Sequence, residues 1–509
     1  MTPADVPSLA LPLRLTGAVW GHLVGDAMGV PYEFREPEQV GEVRFGEIGT
    51  HGQPPGTWSD DGALMLALLD SLVSVGFDTE DQGRRAVAWR REGAYTPDGE
   101  VFDIGGTTFT ALTALEAGTP AEEAGPTGEK SQSNGSLMRI LPLALWGHSR
   151  RLTPSELAEF AMRASRVTHG HAVPQVTCAL YTLVADAMLG GAEPKAALDS
   201  AIDALRGMFE QGGGEANLAS VAALDEFVAW PATNEPEGRG GALNAFRSAW
   251  TALDGAKDYR ETMERAIRFG HDTDTTAAIA GGLAGIRWGI DAIPAEWLGG
   301  MRGRDVAAPL VDRLVEAHGW KTSTSHPLRV DWVNLASVPG LASAPGRLGM
   351  TFLPGKQYFS RWSKDGPTPW WRDLDADVAC LRETHGCDVF LLLVEDHELE
   401  LTRTTDVAAA FERHGVELRR HPVVDMNIPT DRAAYRSMLA GLVEAIRAGR
   451  NVVVACRGGL GRTGTAVACL LVGEGMNAEA AIKVTRESRP KTIERGTQVE
   501  WVRGWGWRD

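Results

Sequence analysis

Two segments of this chain, residues 63–69 and 276–285, are apolar on nearly every side at helical spacing. Each predicts a helix buried all round rather than one with a solvent face. Both are entered through acidic residues: Gly56-Thr57-Trp58-Ser59-Asp60-Asp61 leads into the first and His271-Asp272-Thr273-Asp274-Thr275 into the second. Taken singly, hydroxyls and carboxylates at a helix start are N-caps that satisfy free N–H groups and complement the dipole. Two such clusters beside buried helices are harder to explain that way, because adjacent buried carboxylates repel unless a cation neutralises them. An all-oxygen ligand set suits Mg2+ or Mn2+, and no His/Cys set accompanies it that would suit zinc. The alanine and glycine content of the second helix lets neighbouring helices approach closely, which predicts that the two clusters meet.

Helical spacing continues to about Gly319, broken by loops rich in Gly, Pro and acidic residues at 118–135, 211–217 and 231–241. No strand ladder is evident there. From Thr322 the texture changes through Thr322-Ser323-Thr324-Ser325-His326-Pro327, Pro339-Gly340 and Pro345-Gly346, which reads as a boundary. Beyond it, short β-type runs at 389–394 and 451–454 alternate with helical stretches at 407–413, 435–448 and from about Arg462. That alternation predicts a mostly parallel sheet covered by helices. At roughly 150 residues per domain, a chain of 509 residues holds two or three domains, and the texture favours two. The predicted fold is multidomain: an all-α domain over residues 12–318, then an α/β domain over 325–507.

The second domain contains Val452-Val453-Val454-Ala455-Cys456-Arg457-Gly458-Gly459-Leu460-Gly461-Arg462-Thr463-Gly464, an apolar strand, a Gly-rich loop and a helix start. Loop N–H groups and the helix N-terminus of such a turn point at an anion, and Arg462 can grip two phosphate oxygens at once. The same positive surroundings favour a thiolate nucleophile at Cys456. A cysteine after a strand is often plain core, and Cys469, inside the following apolar helix, takes that reading. Five residues separate Cys456 from Arg462, with Thr463 next, and this spacing sets Cys456 apart.

The segments Gly21-His22-Leu23-Val24-Gly25-Asp26-Ala27-Met28-Gly29-Val30-Pro31-Tyr32-Glu33, Trp58-Ser59-Asp60-Asp61, Asp103-Ile104-Gly105, Asn134-Gly135-Ser136-Leu137-Met138-Arg139, Thr168-His169 and Asp272-Thr273-Asp274-Thr275 come in that order. As a set they resemble the ADP-ribosylglycohydrolase family, which includes the dinitrogenase reductase-activating glycohydrolase, over about residues 12 to 300. The resemblance implies an all-α fold with two Mg2+ or Mn2+ that hold the ribose diol of ADP-ribose and position water to attack the anomeric carbon. By position it implies Ser59, Asp60, Asp61, Asp272, Asp274 and Thr275 as ligands and Glu33 as the glutamate over the substrate. Asp103, counted with Glu33 as catalytic, and Gly105 then line the site. Asn134, Gly135, Ser136, Met138 and His169 fall against ADP-ribose, where the Gly-rich backbone at 134–136 can approach pyrophosphate. Gly62 departs from the family, in which Thr more often follows the two aspartates, but it is not a ligand position.

Residues from about 328 to 505 resemble the dual-specificity phosphatases, closest to the cyclin-dependent kinase inhibitor-like branch. The matching elements are Pro354-Gly355-Lys356, Trp371-Arg372-Asp373-Leu374, Glu398-Leu399, Asp425 with Ile428-Pro429, the loop from Cys456 to Arg462, and Arg489-Pro490 with Gln498. The resemblance implies that Cys456 attacks phosphorus, Arg462 stabilises the transition state, Asp425 protonates the leaving oxygen and Thr463 eases breakdown of the phosphocysteine. Arg457, Gly458, Gly459, Leu460 and Gly461 then cradle the phosphate. Ala455 stands where the family usually has His, which predicts slow or restricted turnover, or a pocket that binds phosphate without turning it over.

The formal charge, 50 Lys+Arg against 67 Asp+Glu, is −17 with no basic run. That argues against a nucleic-acid backbone as the main partner and leaves a nucleic acid only as a modified target. No 18 consecutive residues are apolar and the N-terminus has no basic n-region, so neither a membrane span nor a signal peptide is expected. Cys178, Cys380, Cys387, Cys456 and Cys469 are too scattered for a disulfide framework, which predicts a reducing, cytoplasmic setting. The 16 tryptophans, including Trp370-Trp371, Trp501, Trp505 and Trp507, are expected in packing rather than in an aromatic cage. His169 and His171 are read as one ADP-ribose contact and one surface residue. The expected function is a bifunctional hydrolase that removes ADP-ribose from a modified target or an ADP-ribose derivative and dephosphorylates a phosphorylated substrate. The rival reading makes the second domain a phosphate-binding recruitment module without turnover.

Overall fold

In the computed structural model, which describes residues 10–212, 215–233, 236–360 and 368–507, the chain divides into two units, Ala10–His318 and the residues from Gly319 onward. Residues 319–324 pack with the second unit: Lys321 N donates to Pro369 O at 2.9 Å and Trp371 N to Lys321 O at 2.9 Å.

Apart from one isolated bridge between Ser133 and Gly241, the described part of the first unit is helical. Its axis is the contact between the opening helix, Ala10–Gly29, and the helix Thr273–Trp288. Gly17, Gly21, Gly25 and Gly29 recur every four residues and so share one face. A Cβ on any of the four would lie 2.2–2.5 Å from backbone of Gly285, Gly281, Ala277 or Asp274. Only glycine permits this approach, and the close neighbour expected for the small-residue helix is therefore the opening helix. The helix Asp60–Val75 is buried over its first ten residues and Thr273–Trp288 over its first fourteen, as their all-round apolar patterns require. The loop expectations fare less well, because a short helix, Ala121–Ala124, interrupts 118–135 and the helix Glu215–Thr233 runs into both other loops. The helix Ala172–Leu189 has the length and composition to cross a membrane, yet 78% of that window is buried among neighbouring helices, the place of a core helix.

The second unit is built on a five-stranded sheet of β1 (Asp331–Trp332), β2 (Leu348–Phe352), β5 (Val389–Leu392), β6 (Glu417–Arg420) and β7 (Val452–Cys456), in the order β1-β2-β7-β5-β6. β2, β7, β5 and β6 are parallel and β1 alone is antiparallel. β3 (Gln357–Ser360) and β4 (Thr368–Trp371) form a separate antiparallel pair. The two apolar runs legible in the sequence became β5 and the central β7, both fully buried. β2 escaped that reading because Gly349 interrupts its pattern, and β6, Glu-Leu-Arg-Arg, because it is a charged edge strand. β7 ends at Cys456 and runs through the Gly-rich loop into the helix Gly461–Gly473.

Candidate functional site

The last turn of the opening helix carries Asp26, whose carboxylate accepts from Ser59 N at 2.9 Å and Gly62 N at 2.7 Å. It thereby fixes where the helix Asp60–Val75 begins. Ser59 caps that helix, accepting from Asp61 N at 3.2 Å, and donates to Asp61 Oδ2 at 3.3 Å. Thr275 Oγ1 donates to the same Asp61 oxygen at 3.2 Å, which joins the cluster at residues 59–61 to the one at 272–275. Asn134 Nδ2 holds Asp272 Oδ2 at 2.9 Å. Glu33 closes the group: carboxylate oxygens of Glu33, Asp272 and Asp274 lie within 4.8 Å of one another, as do ligand atoms of Glu33, His51 and Asp103. His51 Nε2 is hydrogen-bonded to Glu33 and lies 3.9 Å from Asp103 Oδ1.

Left-handed backbone clusters here at residues other than glycine, at Phe34 (φ 63°), Asp103 (φ 59°) and His271 (φ 57°). Each costs about 1–3 kcal/mol. Phe34 N donates to His271 O at 2.6 Å and His271 N to Arg35 O at 2.7 Å, and this pair of bonds turns Glu33 and Asp272 toward one centre.

Burial is the largest force on these acids. It raises Asp26 to about 7 and, with the charges of Asp103 and Asp272, Glu33 to about 10. Asp60, Asp61 and Asp274 rise well above the usual carboxylate range through burial and then neighbouring charge, led by Asp61 on Asp60, Asp26 on Asp61 and Glu33 on Asp274. Asp61 Oδ1 and Asp274 Oδ2 are buried and find no donor among the described residues. Buried, mutually repelling oxygen donors with two orphaned oxygens fit hard divalent cations.

The residues expected against ADP-ribose divide into two groups. Gly105 is exposed at the start of the helix Gly106–Glu116, and Asn134 reaches the acidic centre through Asp272. Gly135 must be glycine, since a Cβ would meet His169 Cε1 and Thr108 Oγ1 at 2.9 Å. Ser136, Met138 and His169 have side chains enclosed by protein. Ser136 Oγ pairs with Ser165 Oγ at 2.9 Å, and His169 bonds Ser133 Oγ at 2.9 Å and Thr168 Oγ1 at 3.0 Å. Burial, then the charge of Arg139, lowers His169 to about 3, so it is neutral. His171 caps the helix Ala172–Leu189 by accepting from Val173 N at 3.2 Å. Asp26 and His51 had no assigned role in the sequence. A carboxylate inside a helix apolar all round was the signal for Asp26, whereas nothing in the loop around His51 marked it.

In the second unit Cys456 is buried at the end of β7, paired in register with Phe352 of β2. Arg462 is bound bidentately by Glu398 at 2.6 and 2.8 Å and by Asp425 Oδ1 at 2.9 Å. Arg457 Nη2 meets Asp425 Oδ2 at 2.6 Å. Burial works to raise Glu398, and its bonds to Arg462 override that and lower it. Asp425 therefore stands over the cradle holding both guanidinium groups, and a phosphate entering there competes with it. Arg462 Nε and Thr463 Oγ1 are buried with no partner among the described residues, leaving a donor and a hydroxyl for an anion. Gly459 (φ +70°) must be glycine, since a Cβ would sit 2.3 Å from Thr351 O. Gly458 is exposed and Leu460 half-buried. The Gly461 amide is already engaged by Glu494 Oε2 at 2.8 Å.

Residues 8–323 match the model of the ADP-ribosylglycohydrolase family, and residues 376–476 that of the DSP-PTPase phosphatase of polymorphic toxin systems. The ADP-ribosylarginine hydrolase Tri1 of Pseudomonas putida (strain GB-1) is 30% identical over 291 residues, covering 56% of this chain and 73% of that protein. The ADP-ribosyl-[dinitrogen reductase] glycohydrolase of Rhodospirillum rubrum is 26% identical over 302 residues, covering 56% and 89%. A solved ADP-ribosylglycohydrolase-related protein complex superposes with a TM-score of 0.50 at 32% identity, over 61% of this chain and 99% of the other. The second unit thus resembles the DSP-PTPase phosphatases over residues 376–476.

Proposed function

The chain belongs to the ADP-ribosylglycohydrolase family through residues 8–323, and from that membership we propose a bifunctional hydrolase that removes ADP-ribose from a modified protein and dephosphorylates a second group. The observation that carries the first activity is the Thr275 to Asp61 hydrogen bond of 3.2 Å, which makes one centre of two distant acidic clusters. Ser59, Asp60, Asp61, Asp272, Asp274 and Thr275 would hold two Mg2+ or Mn2+. Such ions supply the positive charge that binds a sugar diol and lower the pKa of water.

The chain's own residues do the rest. Glu33 is pinned from both ends, its carboxylate by His51 and its carbonyl by Thr50 Oγ1 at 2.6 Å, and from there it orients the sugar and moves a proton. Asp103 works beside it. Asn134 steadies Asp272, and the Gly105 and Gly135 backbones admit the ADP-ribose. Ser136, Met138 and His169 shape that wall from behind. The relatives named for ADP-ribosylarginine and ADP-ribosyl-dinitrogen reductase favour an ADP-ribosylated protein as target. Cysteine usage favours a reducing, cytoplasmic setting.

In the second unit the Cys456 thiolate attacks phosphorus and forms a phosphocysteine, the leaving oxygen takes its proton from Asp425, and Arg462 holds the charge that develops. Water then releases phosphate, assisted by Thr463, while Arg457 and the loop from Gly458 to Gly461 bind the ester. Ala455 and the engaged Gly461 amide favour a second reading, a phosphate-binding recruitment module. Release of ADP-ribose from arginine-linked and serine-linked peptides and from modified nucleic acid, with Mg2+ or Mn2+ and then chelator, tests the first activity. No release from any of these substrates sinks the activity, and equal release under chelation sinks its metal dependence. Phosphate release from p-nitrophenyl phosphate, lost in Cys456→Ser, tests the second, and a folded chain that binds phosphate without releasing any from the ester leaves the recruitment module.

A further inference from the structure

The cations around the phosphate cradle are matched by carboxylates almost throughout. Arg372 is held by Asp377 at 2.6 and 2.7 Å, Arg489 by Asp331 at 2.5 Å, Arg462 by Glu398 at 2.6 and 2.8 Å, and Arg457 by Asp425 at 2.6 Å. Among the described residues Lys356 is the exception. It is only 6% exposed, its Nζ reaches Arg457 O at 3.5 Å, and it lies over the rings of Phe352 at 4.1 Å and Trp370 at 4.8 Å. Its position follows from the sheet. Phe352, the last residue of β2, pairs in register with Cys456. The turn through Gly355 (φ +70°), whose N–H is held by Asp377 Oδ2 at 2.8 Å, brings Lys356 back against the residue that follows the nucleophile.

A buried ammonium without a counter-charge is costly. The groups that face Lys356 from the packed elements are Arg372 just after β4, Asp377 of the helix Leu374–Ala379, Arg489 after the helix Ala478–Ser488, and Cys456 and Arg457 of the cradle. Burial, then the charges of Arg372 and Arg489, lowers Lys356 to about 7, while the charge of Cys456 works the other way. Asp377 is already committed to Arg372. That leaves the Cys456 sulfur, once deprotonated, as the negative group that faces both Lys356 and Arg462.

We propose that Lys356 and Cys456 form an ammonium–thiolate pair, in which the proton leaving Cys456 Sγ is taken up by Lys356 Nζ. One S–H bond breaks and one N–H bond forms, and the total charge is unchanged. Lys356 is then a positioning residue that balances the nucleophile's charge in a chain where Ala455 replaces the imidazole its relatives place there. The inference rests on the phosphatase reading for its purpose, but a charge pair exists whether or not phosphate is released.

Iodoacetamide alkylation of Cys456 in the full chain, read by peptide mass spectrometry from about pH 5 to about pH 9, tests it in wild type, Lys356→Met and Lys356→Arg. The pair predicts that Lys356→Met moves the alkylation midpoint up by about one pH unit, so that below it alkylation slows about tenfold. Lys356→Arg keeps a cation in place and stays within about twofold of wild type. A Lys356→Met profile that superposes on wild type overturns the pair. Should Lys356→Met fail to fold in thermal unfolding, Lys356→Gln, neutral but polar, carries the same expectation and the same refutation. Phosphate release from p-nitrophenyl phosphate, measured alongside, separates the two readings. A shifted Lys356→Met profile in a chain that releases no phosphate supports the pair and rejects the phosphatase, whereas phosphate release with unchanged alkylation rejects the pair alone.

Discussion

Replacing Gly25 by alanine tests whether the acidic centre depends on the glycine-faced helix contact. The added Cβ would lie 2.2 Å from Ala277 O, 2.7 Å from Ala277 C and 3.1 Å from Ala278 N. All three are backbone atoms of a buried helix, so no side-chain rotation relieves the overlap. Ordinary contact begins at 3.4 Å, so the helices must part by about 1 Å, and overpacking of this kind costs about 1–3 kcal/mol. The larger effect is functional. Gly25 precedes Asp26, which anchors Ser59 and Gly62, and Ala277 lies one turn after Asp274. The displacement that relieves the methyl therefore also opens the 3.2 Å bond between Thr275 and Asp61. A 1 Å misplacement at a reacting centre costs on the order of 100-fold in rate. Gly25→Ala should lower kcat/KM for ADP-ribose release by about that factor and weaken Mg2+ binding in calorimetry, with Tm down by a few degrees. Gly207→Ala, with nothing within 4 Å of its Cβ, should leave all three unchanged or raise Tm slightly. A Gly25→Ala protein with a lowered Tm but wild-type metal affinity and rate would show that the contact is architecture alone.

Asp60→Ala and Asp272→Ala should each abolish a calorimetric Mg2+ or Mn2+ signal, and unchanged binding in both would separate the clusters. Glu33→Gln should lower turnover far more than metal affinity, and a fully active variant would remove Glu33 from the reaction. Without metal, Asp26 is raised from 3.8 to about 7, so between those values the folded chain binds more protons than the unfolded one. Stability then falls as pH rises through that window, by up to about 4 kcal/mol for this group. Added Mg2+ should therefore raise the thermal midpoint more at about pH 7 than at about pH 5, and a pH-independent increment would refute the linkage.

The sequence made the elements that are apolar all round legible, and the acids beside them, because burial and repulsion leave a pattern in one dimension. Residues 63–69 and 276–285 became the buried starts of two helices, and 389–394 and 451–454 became β5 and β7. What it did not disclose depends on neighbours distant in sequence. Asp26 matters through the amides of Ser59 and Gly62, and His51 through Glu33. β6 pairs with β5 although its own residues are mostly charged, since an edge strand needs a partner more than a pattern. Trp370, expected in packing, also lies with its ring under Lys356 at 4.8 Å and Lys321 at 5.6 Å, a geometry set by the β3–β4 pair.

The two units bury charge and resolve it in opposite senses. In the first, Asp26, Glu33, Asp60, Asp61 and Asp274 converge, and two of their oxygens find no donor among the described residues. Hydrogen bonds from Ser59, Gly62, Thr275 and Asn134 hold the carboxyl groups in register, while burial and mutual repulsion keep protons on them until a counter-charge is supplied. In the second, Arg372, Arg457, Arg462 and Arg489 each already have a carboxylate, and the basic group left without one among the described residues is the buried amine of Lys356. In the proposed functions the acids would take up metal and a sugar diol, and the lysine would balance a thiolate and then meet a phosphate. In both units the sign of the buried group left without a partner sets the chemistry each one can do.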